Sequence, residues 1–479
     1  MESGGVLCID GRGLAMRLLA MIILMTVLGA SAALAGQSLE ENWKECKSDD
    51  PGHSIQGCSA LIQSRQTTGI NLANAFYDRG LAFAHKGDYD RAIQDYDQAL
   101  RLSPSFANAF YSRGAAYAHK DDYDHAFQDY DQALRLNPSL ANALYDRGLA
   151  FAHKGDYDRA IQDYDQALVI NPSLSDALYG RGLAYVHKSN YDNAIEDFDQ
   201  ALRINPSYAD ALIGRGNAFR RKGDNDRAIQ DLDQALRLKP NSAEAFYNRG
   251  RAYEYKGDYH RAILDYDQAL QLNPNSADAL IMRGLAYTHD GNYKSAIQDL
   301  DQALRLKPNS AEAFYNRGRA YEYKGDYHRA ILDYDEALAL QPGDADALYG
   351  RGLAFSRIGR YDLAVQDFDR ALQFNPTYAA AYNDRGVEYA RMGHYARAIE
   401  DYDQAVRLNA RFPGAFHNRS LAYAHKGEYL RAIADGGHFL RLKYGVLGIT
   451  IRVCLSVFAI ALGFAYRRFR RPPSTRQQS

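Results

Sequence analysis

Residues 73–106 read ANAFYDRGLAFAHKGDYDRAIQDYDQALRLSPSF, and this stretch decides the architecture. Apolar side chains recur in it three and four positions apart, the spacing of one face of an α-helix. Its punctuation makes two helices. Gly87 can close the first in a left-handed conformation, Asp88 can cap the second, and Pro104 cannot continue it. With Ala73 as position 1, the inward set is Phe76, Gly80, Phe83, Ala92, Tyr96 and Ala99. Gly80 and Ala92 carry little or no side chain, so two antiparallel helices can approach closely there.

The stretch repeats. Arg79-Gly80 recurs every 34 residues to Arg419, where Ser420 replaces the Gly, so eleven units fill residues 73–442 without insertion. A large aromatic, Gly, aromatic, Ala, Tyr or Phe, Ala and Pro at positions 4, 8, 11, 20, 24, 27 and 32 resembles the tetratricopeptide repeat. The resemblance implies an all-α superhelical solenoid of antiparallel hairpins, with first helices lining a concave face that binds protein. Two departures stand out. Position 7, usually Leu in that family, is Arg in every unit, and Gly436 and Phe439 replace Tyr and Ala in the last one. Residues 231–267 and 299–335 are identical, so a two-repeat block was copied. Tolerance of array length suits a binding surface better than one demanding active site.

Position 23 is Asp in all eleven units, matching the invariant Arg. Where position 8 opposes position 20, position 7 lies near 20–24 of the partner helix. The expectation is a structural ladder, within a repeat or to its neighbour: Arg147 with Asp163, Arg181 with Asp197, Arg215 with Asp231. Eleven equivalent copies are architecture, so no catalytic residue is expected. Position 13 carries His85, His119, His153, His187, His289 and His425. Neighbouring helices sit about 8–10 Å apart and Zn–N bonds are about 2.0–2.1 Å, so these are read as solvated imidazoles without a metal. No phosphate loop or nucleophile elbow occurs, and no cofactor is expected.

The ends differ from the repeats. Arg12 and Arg17, an apolar run and Ala33-Leu34-Ala35 form a secretory signal over 1–35, with its start at Met1 or Met16 and either cleaved or kept as an anchor. Residues 445–466, GVLGITIRVCLSVFAIALGFAY, have the length of a bilayer span, interrupted by Arg452; an amphipathic last helix is the other reading. Arg467, Arg468, Arg470 and Arg471 place the basic tail, 467–479, in the cytoplasm by the positive-inside rule. The expectation is a single-pass protein of a bacterial inner membrane with its repeats in the periplasm. A formal charge of −2 gives no basic face for nucleic acid, and no small-molecule substrate is expected.

Adding 34 maps Cys46 and Cys58 onto Gly80 and Ala92, the close-contact positions. Residues 36–72 therefore read as a degenerate cap hairpin, pinned by a Cys46–Cys58 disulfide or holding two buried thiols. Positions 2, 5, 6, 9, 12 and 13 should face the groove. They give Asn74, Tyr77 and His85, then Asn108, Tyr111, Asn142, Tyr145 and Tyr179, with Tyr247 and Tyr315 further on. Arg220, Arg221, Arg251 and Arg319 add central cations suited to gripping carboxylates. The function expected is a scaffold or adaptor that recruits an extended, acidic protein segment at the membrane. The other reading is a structural subunit of an envelope or export assembly.

Overall fold

A computed structural model describes residues 38–445; the expected signal, the span beyond Gly445 and the basic tail lie outside them. Among the described residues all regular structure is helical, and no helix is long and apolar enough to cross a membrane. They form two compact units, divided between Lys222 and Gly223.

The first unit opens with a cap hairpin, Leu39–Cys46 and Pro51–Ser64. Ser38 and Glu41 form a reciprocal capping box, and Asp50 caps the second helix ahead of Pro51. Cys46 and Cys58 are bonded, with Cα atoms 4.5 Å apart, and are buried with Leu61 and Ala75. Hairpins of the 34-residue period follow, Ala141–His153 with Tyr157–Ile170 being typical, and Ala209–Arg221 is the unit's last helix. The second unit runs from Asn225–Leu238 through Pro413–His425 to a final helical stretch, 429–445.

Most hairpins turn by one device, though Arg360 and His394 stand at their helix starts without a side-chain cap. Gly87 has φ 76°, the Asp88 N–H donates to the Phe83 carbonyl (2.9 Å), and the Asp88 carboxylate accepts from the Arg91 N–H (3.1 Å). One residue thus finishes the first helix and caps the second. Asp121 and Ser189 adopt the left-handed turn without being Gly.

Packing explains the small residues. Ala92, Ala126 and Ala160 are wholly buried, as are Tyr96 and Tyr164 from position 24. A Cβ on Gly148 would sit 2.7 Å from Tyr164 Cε1, whose ring has no room to yield. Gly148→Ala is therefore expected to cost about 1–3 kcal/mol by overpacking. Gly437→Ala, whose Cβ would meet nothing within 4 Å, should instead gain up to about 1 kcal/mol of helix propensity. Hydrogen exchange in the two hairpins measures both, and equal signs would refute the close-packing account.

Within each unit the invariant Arg and Asp meet inside the hairpin. Arg147 donates from Nε and Nη2 to both oxygens of Asp163 (2.8 and 2.6 Å), and Arg181 does so to Asp197 (2.9 and 2.6 Å). The third guanidinium nitrogen reaches back one repeat. Arg147 Nη1 donates to Asp131 and Arg181 Nη1 to Asp165, each at 2.5 Å. Arg215 likewise donates to Asp199 (2.5 Å), while Asp231 is buried at the start of the second unit. In that unit Arg317 repeats the whole pattern with Asp333 and Asp301.

Candidate functional site

The candidate site is the solvent-facing side of the first helices, taken within each unit. Its tyrosines are not free rungs. Tyr145 and Tyr179 are half-buried and tilt against Tyr164 and Phe198, with ring centroids 6.0 and 5.9 Å apart. The Tyr111 hydroxyl donates to Asp146 of the next repeat (2.8 Å), and Tyr77 meets Ser112 at 3.4 Å. Burial pushes the Asp146 carboxyl above its usual range, although the Tyr111 hydrogen bond pulls it down. Tyr145 and Tyr315 are pushed up to about 12, chiefly by burial. These phenols stay neutral at any physiological pH.

The histidines are exposed but organised. His119 lies flat on Tyr89 of the preceding repeat (4.8 Å, interplanar 8°), and His187 on Tyr157 (4.5 Å, 7°). The same step pairs His289 with Tyr259 and His425 with Tyr395. Burial, and then the charge of Arg319, lowers the His289 pKa. His85 is exposed and lines an open cavity of about 510 Å³ with Lys47, Asp49, Ser54 and Asp78. Among the described residues no group of three or more His, Cys, Asp or Glu could hold a metal ion.

The cations divide. Arg220, expected to grip a ligand carboxylate, is instead 7% exposed and donates to Asn217 Oδ1 (2.7 Å). So buried a guanidinium is not offered to a partner. Arg221 is exposed. Arg251 lies between the rings of Tyr247 and Tyr255, 6.0 and 5.6 Å away, and donates to both hydroxyls (3.2 and 3.3 Å). Arg319 lies in the same way between Tyr315 and Tyr323, 5.8 Å from each. Below them the buried Tyr266 and Tyr334 hydroxyls donate to Glu254 and Glu322, each at 2.7 Å. The copied block therefore contributes two Tyr–Arg–Tyr sandwiches with Glu beneath. Tyr255 and Tyr323 escaped the sequence reading, although they stand where other repeats have His. Asn108 and Asn142 are exposed and Asn74 is half-buried.

Four family models match the chain. Three described as tetratricopeptide repeat cover 114–178, then 175–208 and 379–412, then 247–311 and 315–379; a fourth, described as TPR repeat, covers 80–121 and 216–257. No curated protein matches. Among solved structures, a tetratricopeptide repeat protein from Parabacteroides merdae is 23% identical, covering 55% of this chain and 100% of its own, with a TM-score of 0.43. YrrB, described as a TPR protein with an unusual peptide-binding site, is 24% identical over 39% of this chain and 97% of its own, with a TM-score of 0.34. The Cut9–Hcn1 hetero-tetramer of APC/C supplies a chain 15% identical over 88% of this one and 96% of its own, at 0.48. Hairpin by hairpin, and through family models that between them reach from residue 80 to residue 412, the chain belongs to the tetratricopeptide-repeat family.

Proposed function

We propose that this protein is a membrane-held scaffold that captures an extended segment of a partner protein on the faces of its first helices. One observation carries the reading: the packing positions hardly vary along the array, whereas the face positions do. Position 20 is Ala in every repeat, but position 9 runs from Leu81 to Asn217 to Arg251, and the exposed position 13 from His85 to Arg221 to Tyr255. Such a face distinguishes one partner residue from the next. The Tyr–Arg–Tyr sandwiches offer rigid aromatic area with donors held in place, the kind of group that dominates binding energy. The signal-like start and the apolar run at 445–466 supply the membrane setting, and the Cys46–Cys58 disulfide suits an oxidising compartment outside the cytoplasm.

A second observation favours the structural-subunit reading. Position 22 is Gln or Glu in most repeats, yet Leu264 and Leu332 stand there on the second helices, 52% and 63% exposed. Photo-crosslinkers placed in intact membranes at Tyr255 and Tyr323, or at Leu264 and Leu332, separate the two. Adducts of one mass from the tyrosine sites alone are expected. Arg251→Ala with Arg319→Ala should then lower that adduct at least tenfold, roughly 1.4 kcal/mol, with the helical circular dichroism unchanged. Adducts from the leucine sites alone would establish the subunit reading instead.

A further inference from the structure

Repeat 11 ends the array with a face that every earlier repeat covers with its successor. Tyr429, Leu430 and Ile433 are 67%, 86% and 72% exposed. The equivalents of Ile433 include Ile263 and Ile297, 7% and 8% exposed, and those of Tyr429 carry a stacked His, as Tyr395 carries His425. Leu430 is no leftover of the repeat. Its position holds Asp90, Asp124 and Asp158 earlier, so an exposed polar site has become apolar where the array stops.

The stripe carries positive charge. Eleven residues, three helical turns, bring Arg441 to the side of Leu430, and Arg431 and Lys443 flank the stripe. Of the acidic residues nearby, Asp435 is buried on Arg419 and Glu428 is held by Lys426 and Arg431. At Gly445, the last described residue, the backbone is left-handed (φ 67°).

We propose that this face docks on a bilayer surface bearing anionic headgroups, with Tyr429, Leu430 and Ile433 inserted at the interface. Apolar side chains beside an excess of Lys and Arg are the pattern of interfacial helices, and Tyr is favoured at that depth. The proposal rests on the reading of 445–466 as the membrane anchor, which delivers the face to the lipid. A second copy is the poorer occupant. Repeats 1–10 offer an Asp at position 25 to the Arg of the next hairpin, and Gly437 stands there instead.

The test uses the full chain, one copy per nanodisc, in phosphatidylcholine with or without phosphatidylglycerol, read by hydrogen exchange. Amides of 429–437 are expected to exchange about tenfold slower with the anionic lipid, as burial of a few apolar side chains implies. Leu430→Asp with Ile433→Gln should abolish that difference and leave residues 379–408 unchanged. Asp at position 430 is tolerable to the fold, since six earlier repeats carry it there. Exchange equal in both lipids overturns the proposal, and protection that needs two chains per disc assigns the face to a second copy. If alkaline carbonate strips the chain from membranes, the anchoring reading has failed. Docking is then decided by whether phosphatidylglycerol vesicles alone protect 429–437.

Discussion

Asp197→Ala should destabilise repeat 4 by about 3 kcal/mol, while Arg181→Met with Asp197→Leu should restore it to within about 1 kcal/mol. Asp197 is 2% exposed and takes two hydrogen bonds from Arg181. Burial pushes its carboxyl above the usual range, although the bonded guanidinium pulls the other way. On the carboxylate side attraction does not fully offset the loss of water. On the guanidinium side that loss is more than offset by Asp197 and Asp165, which raise the Arg181 pKa. For a buried pair the two largely cancel, leaving little net stability. Removing one partner is another matter, because Arg181 stays in place, held only by Asp165. Replacing both by apolar groups removes the desolvation cost along with the pair. Because neighbouring repeats open separately, hydrogen exchange over residues 175–204 is the measurement. A single substitution costing under about 1 kcal/mol would make this an ordinary surface ion pair.

The value of such a ladder lies in register. Arg147, Arg181 and Arg317 close their own hairpins with two nitrogens and fix the preceding one with the third. A sliding error of one residue would break three hydrogen bonds and strand a buried carboxylate. An array whose apolar faces are nearly identical in every repeat needs such a device, since burial alone does not distinguish one register from another.

The period made the hairpins legible, because Gly at 8, Ala at 20 and the turn at 15–16 constrain two helices that are also adjacent in sequence. Arg147 and Asp163 could be matched for the same reason. What lay between repeats was harder to read. Asp131, which receives the third nitrogen of Arg147, sits on the preceding hairpin, where the step between repeats sets the distance. A signal existed: position 25 is Asp in ten repeats and Gly437 in the eleventh, as a partner of the following repeat must be. The stacking of His119 on Tyr89 also crosses repeats. The face was misjudged where helical angle alone was used. Arg220 shares a side with groove positions on a helical wheel, but its buried guanidinium lies beside Asn217, one turn back.

The cap hairpin allows the cleanest experiment at the other end of the array. Reducing the full chain, or making Cys46→Ser with Cys58→Ser, is expected to weaken the cap by about 3 kcal/mol, the chain-entropy value for a loop near 15 residues. The helix Leu39–Cys46 has only eight residues, too few to persist in water without tertiary support. Its burial is slight, with Cys46, Cys58, Leu61 and Ala75 forming the cluster against Trp43 and Ile62. The bond therefore holds what packing cannot. Trp43 is the chain's single tryptophan and lies on that helix, so its emission reports the cap alone. Reduction should shift that emission to the red and speed exchange across residues 39–46. Repeats 3 and beyond should keep their protection, because each contacts only its neighbours. Unchanged emission after complete reduction would mean that packing against the helix Gly69–His85, and not the disulfide, keeps the cap in place.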